Sequence, residues 1–246
     1  MTVRAKLFIT CIGEQFFPQA LKSTVTVLER VGVQCEFPEG QTCCGQPLLN
    51  SGFQSEARGI ARHWLRVFGS GEEYIVAPSG SCVDMVRHHL PDLFPAGSPE
   101  RAAAVAAAER IFEFTQFLVG VLQVTDVGAF FPHKVAYHAS CHLLRGLGVR
   151  DEPRELLRAV RGLELLSLSQ EEACCGFGGV FSLIYPEVSQ TILEAKIRAI
   201  AASGADVITA CDPGCLISIA GGLVKMRSRV RALHIAELLA ADTSAR

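Results

Sequence analysis

Thr42-Cys43-Cys44-Gly45-Gln46-Pro47 returns later in the chain as Ala173-Cys174-Cys175-Gly176-Phe177-Gly178-Gly179. Each Cys-Cys-Gly has a single cysteine upstream (Cys11, then Cys141) and another downstream (Cys82, then Cys215). The spacings agree. Cys11 and Cys43 are separated by 31 residues and Cys141 and Cys174 by 32, while Cys44 to Cys82 spans 37 and Cys175 to Cys215 spans 39. Two copies at near-equal offsets constitute an internal duplication, and each spacer has the length of about one α/β unit.

The residue types limit the chemistry. Adjacent cysteines are strained as disulfide partners, but adjacent thiolates can bind different irons of one multinuclear cluster. A glycine beside them lets the backbone turn sharply or approach a cofactor closely. Each copy therefore supplies four sulfurs from three points in the chain, a number that suits an iron–sulfur cluster and equally a tetrahedral zinc site. The repeat alone leaves those two open.

Reading outward, Lys6–Thr10 is a short strand ending at Cys11, Ser23–Val31 has helical spacing, and Val33–Phe37 is a second strand before the first Cys-Cys-Gly. Gln54–Phe68 is an amphipathic helix, and Glu73–Ala77 is a third strand that delivers Cys82. Ser98-Pro99 starts a helix expected to run towards Val119. The plan repeats with strands at 135–138, 163–168 and 205–210, a helix over Ser189–Ala202, and a last helix over Arg231–Ala240. Strands alternating with helices imply a parallel sheet, and all the repeated cysteines fall at the carboxyl ends of strands, where sites form. The expected fold is α/β: two similar halves, residues 1–125 and 126–246, each a small, mainly parallel sheet flanked by helices, with sites near the facing edges.

Composition agrees. The 246 residues are 49% apolar and 20% charged, as in an ordinary globular protein. A net charge of −2 without a basic run argues against nucleic acid as partner. No 18-residue apolar stretch is free of charges and breakers, so no transmembrane segment is expected. The start, Met1 to Lys6, lacks the apolar core of a signal peptide, which places the chain in the cytoplasm, where its ten cysteines stay reduced.

Cys35 matches Leu166 in the second copy and reads as a core residue. Cys211 stands open between fifth ligand and bystander. His138 and His142 flank Cys141 and read as structural hydrogen-bonding residues, with tuning or replacement of a ligand as the alternative. Gly176-Phe177-Gly178-Gly179 lacks the dinucleotide-loop spacing and reads as cofactor packing. Lys196 and Arg198 are expected in solvent, and Asp212 as a turn former.

These motifs, together with Val135-Ala136-Tyr137-His138-Ala139-Ser140-Cys141-His142 and Arg110-Ile111-Phe112-Glu113-Phe114-Thr115-Gln116-Phe117-Leu118, resemble the cysteine-rich "CCG" domain family. That family includes the cysteine-rich component of heterodisulfide reductase, the iron–sulfur subunit of glycolate oxidase and the lactate utilisation A group, and the two-repeat length is most similar to the last. The resemblance implies [4Fe-4S] clusters. Its ligands would be Cys11, Cys43, Cys44 and Cys82 in the first half and Cys141, Cys174, Cys175 and Cys215 in the second, with Cys211 a candidate to join them. The reductase relatives use a downstream Cys-x-x-Cys and can hold a cluster with five cysteines. Here Pro78 stands where Cys211 would match in the first half, and Cys211 and Cys215 are separated by three residues rather than two. Some relatives hold zinc in one half, so zinc is the alternative for the first repeat.

The function this implies is an iron–sulfur electron-transfer subunit of a complex oxidising L-lactate to pyruvate. Substrate chemistry would sit on partner subunits, an iron–sulfur partner protein among them, because the chain has no recognisable flavin or nicotinamide motif. Two other readings are a cluster-based thiol–disulfide reductase and a zinc-stabilised, non-catalytic assembly subunit.

Overall fold

Each half of the chain lays down four parallel strands in the computed structural model, which describes residues 2–242. In chain order the first half contains β1 (Arg4–Leu7), α1 (Cys11–Phe16), α2 (Pro18–Arg30), β2 (Gln34–Glu36), α3 (Gln46–Asn50), α4 (Gln54–Phe68), β3 (Tyr74–Ala77), α5 (Gly80–Asp84), α6 (Pro99–Ala108), β4 (Ile111–Glu113) and α7 (Phe114–Gln116). The second contains β5 (Lys134–Tyr137), α8 (Glu152–Ala159), β6 (Glu164–Leu166), α9 (Phe181–Ile184), α10 (Pro186–Ser203), β7 (Val207–Ala210), α11 (Pro213–Lys225), β8 (Arg231–His234) and α12 (Ile235–Ala240). The sheets run β2-β1-β3-β4 and β6-β5-β7-β8, the same order twice. Registers repeat as well: Leu7 pairs with Val76, and Tyr137 with Thr209. The expected α/β duplication is present. Among the described residues no helix is long and apolar enough to cross a membrane.

Two expectations need correction, and they fail at equivalent places. The helix begun at Ser98 has its anticipated cap, with Arg101 N–H donating to Ser98 Oγ at 3.2 Å, but it stops at Ala108 and β4 follows. Likewise Arg231–His234 is β8, not the start of the last helix. Both strands are short and run straight into a helix with no glycine or proline between. Their apolar residues therefore continue a helical pattern, and only pairing with β3 and β7 makes them strands. Smaller shifts are at element ends, as in β1, which ends at Leu7 rather than Thr10. The register pairs Cys35 with Ala5 and Leu165 with Val135, so the second-half counterpart of Cys35 is Leu165, one residue from the expected Leu166.

Strand alternation explains the layers. In β3, Val76 faces one core while Ile75 and Ala77 face another. The core on the inner faces draws Leu7, Val27 and Leu28 from the first half and Val135, Leu156 and Leu238 from the second, so the halves share it. Outer cores lie beyond each sheet, one around Phe8, Trp64 and Phe68 and one around Ile197, Ile208 and Ile219. Each fully buried large side chain there contributes roughly 1.5–3 kcal/mol. Along the shared face α2 packs on α12, and Arg30 donates to the carbonyls of Val127, Leu239 and Ala240 at 3.2, 3.1 and 2.8 Å.

The fourth strands end on matched buried caps. Glu113 accepts from Thr115 N–H at 2.7 Å and Gln116 N–H at 3.2 Å, and His234 Nδ1 accepts from Ala236 N–H at 3.2 Å. Burial pushes the Glu113 carboxyl up from 4.5 to about 7 and the His234 imidazole down from 6.5 to about 4. Glu113 therefore contributes its full stability below pH 4.5 and loses it as pH rises through 7. His234 contributes above pH 6.5 and loses it as pH falls through 4. Glu113→Gln keeps the acceptor oxygen and removes the charge, so it should abolish a stability loss of about 1 kcal/mol between pH 6 and pH 8. Urea midpoints at the two pH values check this; equal losses in wild type and variant would contradict it.

Candidate metal centre

Parallel strands put their carboxyl ends on one side of a sheet, and the loops leaving β1, β2 and β3 bring Cys11, Cys43-Cys44 and Cys82 to that side. The loops leaving β5, β6 and β7 do the same with Cys141, Cys174-Cys175 and Cys215. In the first half the thiols form a string. Cys11 Sγ is 3.7 Å from Cys43 Sγ, Cys43 is hydrogen-bonded to Cys44, and Cys44 to Cys82. The second half repeats it as Cys141–Cys174–Cys175–Cys215. Each string has one member exposed to solvent, Cys11 at the end of the first and Cys174 second in the other, while Cys44, Cys82, Cys175 and Cys215 are buried.

Glycine makes the bend. Gly45 and Gly176 have φ of +88° and +83°, a left-handed conformation costly for other residues. Their N–H groups turn back to donate to Cys43 Sγ at 3.4 Å and Cys174 Sγ at 3.3 Å. Hydrogen bonds from Cys11 and Cys44 lower the Cys43 thiol to about 2, and those from Cys141 and Cys175 do the same for Cys174. The neighbours that donate, Cys11, Cys44, Cys141 and Cys175, are pushed up in turn. Cys215 is lowered to about 6 by its hydrogen bond with Cys175 and, more weakly, by contact with His138. Each string gathers negative charge on sulfur that a bound cation would stabilise, which is the donor chemistry of a thiophilic metal.

All eight repeated cysteines line a single cleft between the halves. Cys211 does not. It is fully buried in the shared core, with its Sγ 3.8 Å from the Tyr137 hydroxyl. Cys35 is partly buried against the same core, and burial raises its thiol to about 11. Asp212 is the turn former expected of it and more: Oδ1 accepts from Gly214 N–H at 2.9 Å, while Oδ2 accepts from Ser81 N–H at 2.7 Å and from the Ser79 hydroxyl at 3.3 Å. One carboxylate thus joins the Cys215 loop to the Cys82 loop. Phe177, Gly178 and Gly179 line the cleft, and beyond them Leu183, Ile184, Tyr185 and Val188 are exposed, Leu183 by 80%.

Two features have no sequence signature, or only a faint one, and a third, His138, is marked by its place beside the Cys141 loop. Buried Asp84 binds His88 Nδ1 at 2.8 Å and, across the halves, His142 Nδ1 at 2.6 Å, which raises the His142 imidazole. No motif marks Asp84; the pairing exists only in three dimensions. Lys196 is not solvated but 1% exposed, donating to the Gln170 and Glu171 carbonyls, whereas Arg198 is exposed as expected. The place of Lys196 on the inner face of α10, beside Ile197 and Ile200, was the available signal. His138 is buried with a ring nitrogen, Cys175 Sγ and Cys215 Sγ mutually within 4.8 Å.

Comparison with known proteins agrees with the duplication. The family profile described as "Cysteine-rich domain" (CCG) matches twice, over residues 5–87 and 135–220. "Lactate utilization protein A" from Exiguobacterium sp. (strain AT1b) is 47% identical over 234 residues, covering 95% of each chain. "Lactate utilization protein A 2" from Bacillus cereus (strain 03BB102) is 42% identical over 97% of this chain and 98% of its own. Among solved structures, a putative Asp/Glu racemase from Yersinia pestis aligns over 98% of this chain and 96% of its own at 12% identity with a TM-score of 0.36, a likeness too loose to carry an argument. The chain belongs to the CCG cysteine-rich domain family and, within it, to the lactate utilization protein A family.

The bend can be tested directly. A Cβ at Gly176 would lie 2.5 Å from the Ser189 carbonyl oxygen, whereas one at Gly179 (φ +60°) meets nothing within 4 Å. Gly176→Ala should therefore cost on the order of 3 kcal/mol, strain plus overlap, and Gly179→Ala about 1 kcal/mol. Denaturant midpoints decide; equal costs would sink the role assigned to the Cys-Cys-Gly turn.

Proposed function

Taking that membership as the premise, we propose that this chain is the iron–sulfur electron-transfer subunit of a complex that oxidises L-lactate to pyruvate. The observation that carries the reading is the convergence of both four-cysteine strings on one cleft. Cys11, Cys43, Cys44 and Cys82 would hold one centre, and Cys141, Cys174, Cys175 and Cys215 the other; Cys211 is left as a core residue. Bound iron–sulfur clusters would supply one-electron storage, and two of them match the two electrons released when a 2-hydroxy acid becomes a 2-oxo acid.

The surrounding residues suit that task. Burial keeps water from Cys44 and Cys82 in one string and from Cys175 and Cys215 in the other. Cys215 lies in the first turn of the 13-residue α11, where the helix dipole favours negative charge. Lys196 brings a buried cation towards Cys175, Cys215 and Cys174. Asp84 orients His142 on the cleft wall and favours its protonated form, a proton source beside Cys141. The exposed apolar side chains that continue from the cleft through α9 are the surface we assign to a partner subunit, an iron–sulfur protein that receives or delivers the electrons.

A second reading is favoured by the shared cleft itself. A disulfide held between the two strings would take two electrons and two protons and leave as two thiols, the work of a thiol–disulfide reductase. Reduction of a disulfide by the isolated chain with a chemical electron donor would select it.

Complementation tests the main proposal. A strain deleted for this chain should lose growth on L-lactate and keep growth on pyruvate. The wild-type chain should restore it, and Cys174→Ser or Cys175→Ser, produced at the same level, should not. Full growth with the serine variants would overturn electron transfer through the cysteines and leave the zinc-stabilised assembly role.

A further inference from the structure

The two repeats are built alike but furnished differently behind the cysteines. Phe8 N–H donates to the Val76 carbonyl at 2.9 Å and His138 N–H to the Thr209 carbonyl at 2.8 Å, so His138 occupies in the second sheet the position of Phe8 in the first. A second pair follows from the glycines. A Cβ on Gly45 would approach the Ala57 carbonyl of α4, and one on Gly176 the Ser189 carbonyl of α10. Seven residues further along each helix stand Trp64 and Lys196. In the first repeat Phe8 and Trp64 meet edge to face, ring centroids 5.8 Å apart, and close the site with an apolar wall. In the second, that wall is an imidazole and an ammonium.

His138 is held for a purpose that packing does not explain. Its Nδ1 is hydrogen-bonded to the Glu171 carbonyl at 3.2 Å, the same carbonyl that Lys196 contacts at 3.3 Å. That bond makes Nδ1 the protonated nitrogen and leaves Nε2 with its lone pair free. Among the described residues Nε2 is buried with no hydrogen-bond partner at ordinary distance, its nearest polar company being the Cys215 thiol. The residue is 1% exposed, and its ligand nitrogen lies within 4.8 Å of Cys175 Sγ and Cys215 Sγ. A buried acceptor with only a thiol for company is poorly satisfied and carries an energetic cost. Phe8 fills the equivalent place without that cost, so shape alone does not require a histidine. A carbonyl-anchored imidazole aimed at thiolates is the arrangement of a metal ligand.

We propose that His138 Nε2 is a ligand of the second-repeat metal centre, a nitrogen donor beside Cys141, Cys174, Cys175 and Cys215. Phe8 denies this donor to the first repeat, so the two centres differ in composition. Lys196 acts through its surroundings: it anchors the loop that orients His138 and sets a positive charge behind the thiolates. The inference rests on the reading that both strings hold metal. A nitrogen ligand added to the four thiolates gives the second centre a donor set the first lacks, so the two centres take up electrons at different potentials.

Pulsed electron paramagnetic resonance on the whole chain, purified anaerobically, reduced and labelled with 15N-histidine, tests this without relying on any variant to fold. The wild type is expected to show one strongly coupled histidine nitrogen. His138→Phe, which imitates the first repeat, should lose that coupling, keep the first-repeat signal and move the potential of one of two reduction steps while leaving the other unchanged. Iron and sulfide present with only weak nitrogen couplings, unchanged in His138→Phe, would overturn the ligand and leave the metal reading standing. If the second repeat holds zinc, X-ray absorption with a nitrogen among the sulfur neighbours supports the assignment and an all-sulfur shell overturns it. No metal in either repeat would overturn both.

Discussion

One buried carboxylate holds the two cysteine strings in register. Asp212 caps the helix that carries Cys215 and accepts hydrogen bonds from Ser79 and Ser81, which open the helix that carries Cys82. Ser79 and Asp212 occupy equivalent positions in the two repeats, so the contact lies where like meets like, as an approximate two-fold relation between halves requires. Beside it Gly80 N–H reaches the Cys211 carbonyl at 3.4 Å, and Asp84 reaches across to His142. These contacts form a seam, and they lie where both strings open on a common cleft.

The seam also explains how a duplicated chain became one object rather than two. Each sheet keeps an outer core of its own, yet the inner faces share a core to which both halves contribute. Burying those inner faces is the larger part of what joins the halves; the polar contacts at the seam add direction more than energy, since each nets only about 1 kcal/mol. Duplication supplied symmetry, and later substitution broke it locally. Phe8 and Trp64 became, or replaced, a histidine and a lysine, and Pro78 stands opposite Cys211. The symmetric parts set where metal can be held, and the asymmetric parts decide how each site behaves.

Much of this was legible in the sequence. The double Cys-Cys-Gly with matched flanking cysteines implied the duplication, the parallel sheets and the strand-end placement of eight thiols, because spacing in an α/β chain maps onto topology. What was hidden depended on contacts between distant segments. β4 and β8 carry no local signal that separates them from the helices they feed, and pairing alone decides them. Lys196 reads as a surface residue until α10 is seen to turn it inward, where two loop carbonyls accept its hydrogen bonds. Asp84 has no motif at all. Cys211, open in the sequence between ligand and bystander, lies in the shared core away from the cleft, because the residue before Asp212 points to the opposite side of its strand end.

Iron and acid-labile sulfide per chain, measured on anaerobically purified protein, test most directly whether the two strings hold iron–sulfur centres. About eight of each are expected, two four-iron clusters on eight thiolates. Zinc alone, with no sulfide taken up on anaerobic reconstitution, would contradict the iron–sulfur assignment.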